Sequence, residues 1–444
     1  MTGNASTRII RAKESRDPQA VWKFTNLDRA CLPMVLRGTW IFEGRPDIER
    51  MQAGLEILLG QYPHLAGRID GTNGIRLAND GVPFAVADSS DRPVSALRQG
   101  RINRREFSTG PSLSRVKCGR DAPLSVKVTR LADGYVVGIQ CSHACLDGNS
   151  FYTMADNWGR ICRGADFERP VLDQGLLPEP QRLTRREGMR FALDNGWVKL
   201  STLKFLRLLP LFASGILNQR TDAFPFSAEA LDGLKREFAV RLGFPCSTNV
   251  ALSALLTKMC MRLAGVTRET ACTQITVANG RGHLEGIPEA FAGNASTFVV
   301  TPSFPGDQAV EDIARIIHDA LAPKLKTPSP EMRRDLLVSL ALIPLGLPVG
   351  HVDLAEMYAR PPTLFQINNF SKLPAYGVDF GAGRPVRAVP HDLADPILIW
   401  PAHPSQGGVE VYFGTVFARM IGRLRAGDPW MGAMREYGRG EGRI

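Results

Sequence analysis

With 444 residues, 44% of them hydrophobic and 22% charged, the chain can bury substantial cores and falls outside the disordered class. This length favours roughly two to three domains. The formal net charge of +10 permits an anionic small ligand, but the basic residues are dispersed. Neither aromatic interleaving nor zinc-ligand spacing is present, which argues against a nucleic-acid-binding module.

The eight cysteines include no C-x-x-C pair, and several lie in apolar contexts. We therefore expect reduced packing residues in a cytoplasmic protein, and no metal site. The first residues lack the apolar segment of a secretory signal, and the apolar stretches 205–217 and 336–349 are too short to span a membrane. We interpret residues 200–217 as an amphipathic surface connector, with an interfacial membrane helix as the alternative.

The first half of the chain mixes strand-like and helix-like segments. Asp133-Gly134 favours a tight hairpin turn between two β-rich runs, and Pro63 is expected to end the preceding helix. His64, beside that proline, is predicted to have a packing or capping role. The predicted elements are a strand at 34–43, a helix opened by Pro46 and Asp47, a short strand after 62–66, strands at 82–86, 124–130 and 135–140, and a helix at 150–163.

His143 lies just past the end of a predicted strand, in the segment Cys-Ser-His-Ala-Cys-Leu-Asp-Gly-Asn-Ser-Phe at 141–151. A histidine at a strand end suits proton transfer, because its pKa is near neutrality and a sheet holds its ring at a fixed angle. A lone histidine beside an apolar run is more often structural than catalytic, so a catalytic role for His143 needs support from other residues. Asn149 or Ser150 is predicted to cap the following helix.

The second half begins after a stretch rich in proline and charge at 172–186, which favours an interdomain crossover. The order of elements is not a regular βαβα alternation, which predicts an α/β fold of mixed sheets with helical cover. The predicted elements are helices at 227–238, 250–263, 311–321, 332–343 and 416–424, and strands at 274–278, 296–301, 364–370, 397–400 and 409–413. The predicted domains are 1–190 and 222–444, joined by a linker at 191–221.

Two motifs together resemble those of the BAHD acyltransferases, within the chloramphenicol acetyltransferase superfamily. The segment from His143 to Gly148 is similar to H-x-x-x-D-G, and the segment from Asp379 to Gly383 is similar to D-F-G-W-G. Supporting matches in register are the Y-P-x-L-A-G-R-like segment at 62–69, Asn279-Gly-Arg281, Gly293-Asn294 and the closing segment 407–413. The resemblance therefore covers nearly the whole chain.

The resemblance implies two chloramphenicol-acetyltransferase-like domains with a channel between them, which coenzyme A and the acceptor enter from opposite faces. It implies that His143 removes a proton from an acceptor hydroxyl or amine, which then attacks the thioester without a covalent enzyme intermediate. We expect acyl-CoA as cosubstrate, no permanently bound cofactor and a monomeric protein. The apolar stretches 336–349 and 361–365 suggest a small lipophilic specialised metabolite as acceptor if they line the channel, and core packing is the alternative role for them.

The resemblance also implies structural roles near the site. Asp147 is expected to form an ion pair with Arg281, and Gly148 to provide backbone freedom at the turn. Asp379, helped by Gly381 and Gly383, is expected to shape the second loop.

The chain has Ala382 where the second motif has tryptophan, so an indole cannot stabilise the oxyanion. Backbone amides or the Ser371 hydroxyl are the alternatives as donor. The helix start at Ser247, Thr248 and Asn249 is similar in place to one that contacts coenzyme A in the family, and Lys258 is a candidate for its phosphates. An ordinary helix cap at 247–249 is equally compatible with the sequence.

Two alternatives to acyl-CoA-dependent transfer are considered. The first is a condensation-type enzyme that takes its acyl group from a carrier protein; such enzymes usually have a second histidine before the catalytic one, where this chain has Ser142. The second is a non-catalytic relative, which Ala382 favours and which the intact His143 and Asp147 disfavour.

Overall fold

The computed structural model describes residues 6–14, 17–71, 73–98, 100, 102–103, 105–110, 113–201, 203, 206, 220–390 and 397–442. The chain forms two compact units, each assembled from three segments. Unit 1 comprises Met1–Glu179, Gly286–Ala295 and Leu373–Asp392, and unit 2 comprises Pro180–Glu285, Ser296–Lys372 and Leu393–Ile444.

The contiguous domain limits 1–190, 191–221 and 222–444 stay a prediction. Most of the predicted surface connector, including 207–217, lies outside the described residues. Within those residues, no helix is long and apolar enough to cross a membrane.

The secondary structure follows in chain order. The strands are β1 Ser6–Ile10, β2 Val21–Lys23, β3 Val35–Glu43, β4 Arg68–Asp70, β5 Gly74–Arg76, β6 Val82–Ser89, β7 Leu124–Leu131, β8 Gly134–Ser142, β9 Val198–Lys199, β10 Phe224–Phe226, β11 Ala271–Asn279, β12 Ser296–Val300, β13 Phe304–Pro305, β14 Val349–Gly350, β15 Leu364–Asn369, β16 Arg387–Val389, β17 Ile397–Pro401 and β18 Val409–Tyr412. The α-helices are α1 Asn26–Cys31, α2 Ile48–Gln61, α3 Leu113–Lys117, α4 Gly148–Cys162, α5 Arg185–Asp194, α6 Ala228–Leu242, α7 Thr248–Leu263, α8 Val310–Leu321, α9 Pro330–Leu342, α10 Thr415–Ile421 and α11 Pro429–Arg439.

Unit 1 is built on a sheet with the strand order β1-β6-β7-β8-β3-β16. All nine residues of β8 are buried, because antiparallel β7 and β3 flank the strand and both of its faces are covered. One face packs in a cluster that includes Ile41, Phe107 and Val136. A continuously apolar strand is typical of this doubly covered position. It makes β8 a rigid support for the residue that follows it.

Helix α4 covers the sheet of unit 1 through the apolar stripe predicted from the sequence. Its Phe151, Met154 and Trp158 are buried, and the Trp158 indole donates to the Met51 carbonyl of α2 at 3.0 Å. Buried indole N–H groups generally require such a partner. This bond fixes α4 against α2.

Unit 2 contains a second mixed sheet, in the order β10-β18-β17-β15-β11-β12, with β13 added to β11. The central pairs β11–β15 and β15–β17 are parallel, and β17–β18 is the antiparallel pair predicted around Gly407-Gly408, both of which have positive φ. Helix α7 is buried along most of its length from Val250 to Met261. The predicted α/β class with mixed sheets and helical cover is confirmed.

Several local predictions were wrong or incomplete. Strand β1 was missed because four of its five residues are exposed at a sheet edge, so the sequence shows no alternation. Helix α11 was missed although Asp428 caps it and Pro429 occupies its first turn, a start signal readable from the sequence. Residues Pro63–Ala66 form a 3₁₀ turn before β4.

Candidate active site

His143 follows β8 directly, and its backbone is held in place. Its N–H donates to the Met34 carbonyl at 3.0 Å, and its carbonyl accepts from the Asn294 amide at 2.9 Å. The ring is half-buried, and its Nδ1 is shielded from solvent. Burial lowers the pKa of His143, against the opposing effects of its own carbonyl, Asp147 and Asn294.

Asp147 caps helix α4. One carboxylate oxygen accepts from the Ser150 amide at 2.9 Å and the other from the Ala295 amide at 3.2 Å. The predicted caps Asn149 and Ser150 are therefore wrong, because the helix begins two residues earlier than that prediction required. Gly148 is the first helical residue and is not among the glycines with positive φ, so the turn does not require glycine there.

Asn294 and Asp28 lie behind His143. The Asn294 side-chain nitrogen donates to the Asp28 carboxylate at 2.8 Å as well as to the His143 carbonyl. The sequence reasoning included Gly293-Asn294 only as a supporting match, and it missed Asp28. The spacing of Thr25 and Asp28 is that of a capping box, a signal that could have identified Asp28.

The loop of the second motif is organised around Asp379. Its carboxylate accepts from the Gly381 amide at 2.8 Å and from the Gly383 amide at 3.0 Å, and both glycines have positive φ. Arg163, which directly follows α4, donates to the Asp379 carbonyl and lies 3.7 Å from its carboxylate. The carboxylate and the two glycines thus close the loop on itself.

The aromatic residue of this loop is buried, whereas the alanine is exposed. Phe380 makes edge contacts with Trp158 at 4.5 Å and Phe42 at 5.7 Å between ring centroids. Ala382 is exposed. Phe380 therefore anchors the loop, and the position occupied by tryptophan in the motif carries little of its packing.

In unit 2, the structure links two predicted site segments. Ser247 caps α7 by accepting from the Val250 amide at 3.2 Å, and Asn249 accepts from the Asn369 side chain at 2.8 Å. The side-chain oxygen Oδ1 of Asn369 in turn accepts from the backbone amide of Ser371 at 3.0 Å. The sequence reasoning missed Asn369, although a polar residue ending the apolar strand β15 was the available signal.

Two other predicted site residues have defined surroundings in unit 2. Arg281 is 1% exposed, and both its amide and its guanidinium donate to the Asn279 side-chain oxygen. Lys258 donates to the carbonyls of Asp307 and Gln308, and burial lowers its pKa.

A cavity of about 300 Å³ adjoins Lys258. Its charged lining is Arg241, Lys258, Arg262, Asp307 and Glu311. Among the residues described, no three His, Cys, Asp or Glu side chains are grouped as metal ligands.

The chain matches the family described as "Transferase family" over residues 4–416. It is 24% identical to tryptamine hydroxycinnamoyltransferase 2 of Oryza sativa subsp. japonica over 420 residues, covering 88% of this chain and 89% of that protein.

Two solved structures share the fold. Vinorine synthase matches with a TM-score of 0.67 and 18% identity, covering 95% of this chain and 96% of that one. The F. sporotrichioides TRI101 complex with coenzyme A and T-2 matches with a TM-score of 0.69 and 17% identity, covering 92% and 98%. Their two-domain architecture is the one expected from the motifs. The chain therefore belongs to the BAHD acyltransferases, which are acyl-CoA-dependent O- or N-acyltransferases.

Proposed function

We propose that this enzyme transfers an acyl group from acyl-CoA to a hydroxyl or an amine of a small lipophilic specialised metabolite, with His143 as general base. The observation that carries this proposal is the state of His143: half-buried, fixed at both backbone polar atoms, and with a pKa below its usual 6.5. Its ring is therefore neutral at pH 7 and can accept a proton. Because Nδ1 is shielded, Nε2 is the accepting atom.

The reaction proceeds in two steps without a covalent enzyme intermediate. Nε2 of His143 takes the proton from the acceptor hydroxyl or amine as its oxygen or nitrogen attacks the thioester carbonyl. The tetrahedral oxyanion then collapses and expels the coenzyme A thiolate, which takes the proton back from the imidazolium. The Ser371 hydroxyl is our candidate for the oxyanion donor.

Asp147 and Arg281 are proposed to pair, each being nearly fully buried. Asp147→Asn retains a good helix cap but removes the charge, and breaking a buried pair costs about 3–5 kcal/mol. We expect Asp147→Asn and Arg281→Gln to destabilise the protein by less together than the sum of their separate effects. Additive effects in this double-mutant cycle would show that Asp147 and Arg281 do not form an ion pair.

Ser247, Thr248 and Asn249 are proposed to bind coenzyme A at the start of α7, with Lys258 contacting a phosphate. Ser247 and Lys258 are eleven residues apart, or about 16 Å along the helix, which suits an extended ligand. Lys258 has three N–H donors, and among the described residues two of them bond to the carbonyls of Asp307 and Gln308. TRI101, a structural relative, was solved with coenzyme A.

The direct test measures thiol release from acetyl-, aromatic and long-chain acyl-CoAs in the presence of alcohols and amines. His143→Ala should lower turnover by about 10²- to 10⁴-fold. His403→Ala is a matched control, because His403 bonds to Ser405 within a surface turn. Full activity of His143→Ala on a genuine acceptor would refute the base assignment.

The same assay separates the alternatives. In a parallel reaction, the same acyl group is supplied on the phosphopantetheine arm of a carrier protein. If the enzyme prefers that donor, the proposal that free acyl-CoA is the substrate is wrong. We expect a monomeric, cytoplasmic enzyme without a bound cofactor; the eight cysteines are all free, in keeping with a reducing compartment.

A further inference from the structure

A single side-chain nitrogen connects a buried carboxylate to the backbone of His143. Asn294 is 4% exposed, and its two amide protons go to Asp28 Oδ1 at 2.8 Å and to the His143 carbonyl at 2.9 Å. Asp28 is fully buried on α1. The His143 carbonyl is thus held by a donor that the Asp28 carboxylate itself orients.

The remaining contacts of Asp28 do not explain its burial. Its second oxygen accepts from the Thr25 amide and hydroxyl, both at 2.8 Å, which completes a capping box. The same type of box, formed by Thr184 and Glu187 at α5, is fully exposed. A cap therefore does not require burial, and a buried carboxylate held by neutral donors is unfavourable, as the rise in the pKa of Asp28 to about 6 indicates.

We propose that Asp28 and Asn294 are positioning residues for His143: the Asp28 carboxylate orients the Asn294 amide, which fixes the His143 carbonyl and so the direction of its ring. This inference rests on His143 acting as the base in the proposed function. The amide of His143 is already bound to Met34, so Asn294 completes the restraint of the peptide on its second side. Restraint of this kind keeps Nε2 within reach of the acceptor proton.

Two carboxylates lie close to His143: Asp147, and Asp28, which lies behind Asn294 and whose pKa burial raises to about 6. Asp147 raises the pKa of His143, as does the Asn294 amide. Burial strongly raises the pKa of the nearby Cys31 and Cys145 thiols, so both are neutral in the range of the test. A carboxylate at position 294 would lie next to His143 and should raise the pKa of its ring.

The decisive variant is the exchange Asp28→Asn with Asn294→Asp. It conserves net charge, keeps a hydrogen bond between positions 28 and 294, and leaves an oxygen for the Thr25 donors. It removes the donor to the His143 carbonyl. The single variant Asn294→Asp places two carboxylates side by side and should be much less stable.

We expect the exchange variant to recover most of the melting temperature lost in Asn294→Asp while its kcat stays about 10- to 100-fold below wild type. KM for acyl-CoA should be nearly unchanged, and the acid limb of the kcat profile should move to higher pH. Recovery of wild-type kcat along with stability would overturn the proposal, because it would show that the pair only supports the fold.

An NMR titration of the His143 ring provides a readout independent of turnover. We expect a higher His143 pKa in the exchange variant than in wild type, because the negative charge moves from position 28 to position 294, next to His143. An equal pKa would show that position 294 does not act on the ring and would overturn the positioning role. If wild type transfers no acyl group from any donor, the proposed function fails, whereas the ring titration still decides whether Asn294 acts on His143.

Discussion

Replacing Gly159 by alanine tests the contact between α4 and the loop of the second motif. A methyl group at position 159 would lie 2.8 Å from both the amide nitrogen and the carbonyl oxygen of Asp379, where ordinary contacts begin at 3.4 Å. Asp379 cannot retreat freely, because its carboxylate binds the amides of Gly381 and Gly383 and its carbonyl accepts from Arg163. The added methyl therefore pushes the backbone of Asp379 away from helix α4.

The net effect is the difference between two opposing terms. The two atoms must separate by about 0.6 Å, the difference between 3.4 and 2.8 Å, and overpacking of this kind costs about 1–3 kcal/mol. Replacing a helical glycine by alanine returns about 1 kcal/mol. Because the obstruction is backbone, we expect the upper end of the cost and a net loss of about 1–2 kcal/mol. Each kcal/mol lost should lower the melting temperature by about 2–4 °C.

Differential scanning calorimetry of Gly159→Ala and Gly432→Ala gives the comparison. Gly432 lies within α11, and a methyl there meets nothing within 4 Å, so this control should gain up to about 1 kcal/mol. The two glycine-to-alanine changes should thus shift the melting temperature in opposite directions. If Gly159→Ala is as stable as Gly432→Ala, the loop does not press on α4 as the structure indicates.

Three further predictions concern coenzyme A, the oxyanion and pH. Ser247→Ala should raise KM for acyl-CoA several-fold. The control Ser227→Ala loses an equivalent helix cap, worth about 1 kcal/mol, and should leave KM unchanged. Equal effects on KM would show that Ser247 only caps its helix. Ser371→Ala should lower kcat by about 10²- to 10³-fold and Ser371→Thr should retain most of it, so a fully active alanine variant would exclude the hydroxyl as donor. Burial lowers the pKa of His351 from 6.5 to about 4. The neutral imidazole therefore contributes its full amount to the free energy of unfolding above pH 6.5, and this stabilisation is lost as the pH falls toward 4. Urea unfolding at pH 7 and 4.5 should show a loss about 2–3 kcal/mol larger in wild type than in His351→Asn, and equal losses would contradict the shift.

The sequence was sufficient for elements with strong periodicity. The buried run of β8, the stripe of α4 and the β17–β18 pair follow directly from apolar spacing and turn glycines. The position of His143 at the end of a strand followed for the same reason. In these segments the local pattern and the tertiary burial agree.

What the sequence did not predict depends on contacts between distant segments. Asp147 outcompetes Asn149 as the cap of α4, a choice aided by the Ala295 amide, which binds its second oxygen. Asp28 lies 266 positions from Asn294, and Asn369 lies 120 positions from Asn249. No local spacing rule encodes such pairs, because each depends on which strands and loops the folded sheets bring together.

Unit 1 is assembled from three separate segments of the chain, and this has a consequence for its folding during synthesis. Its sheet is completed by β16, which pairs with β3 through residues 387–389, and the partner of Asp28 is residue 294. While the ribosome has made only the first half of the chain, β3 is an unpaired edge and Asp28 lacks its amide donor, so an early intermediate is expected to be prone to aggregation. A truncated chain of residues 1–190 should consequently be recovered as inclusion bodies, and adding the missing segments in trans should be a more effective rescue than adding substrate.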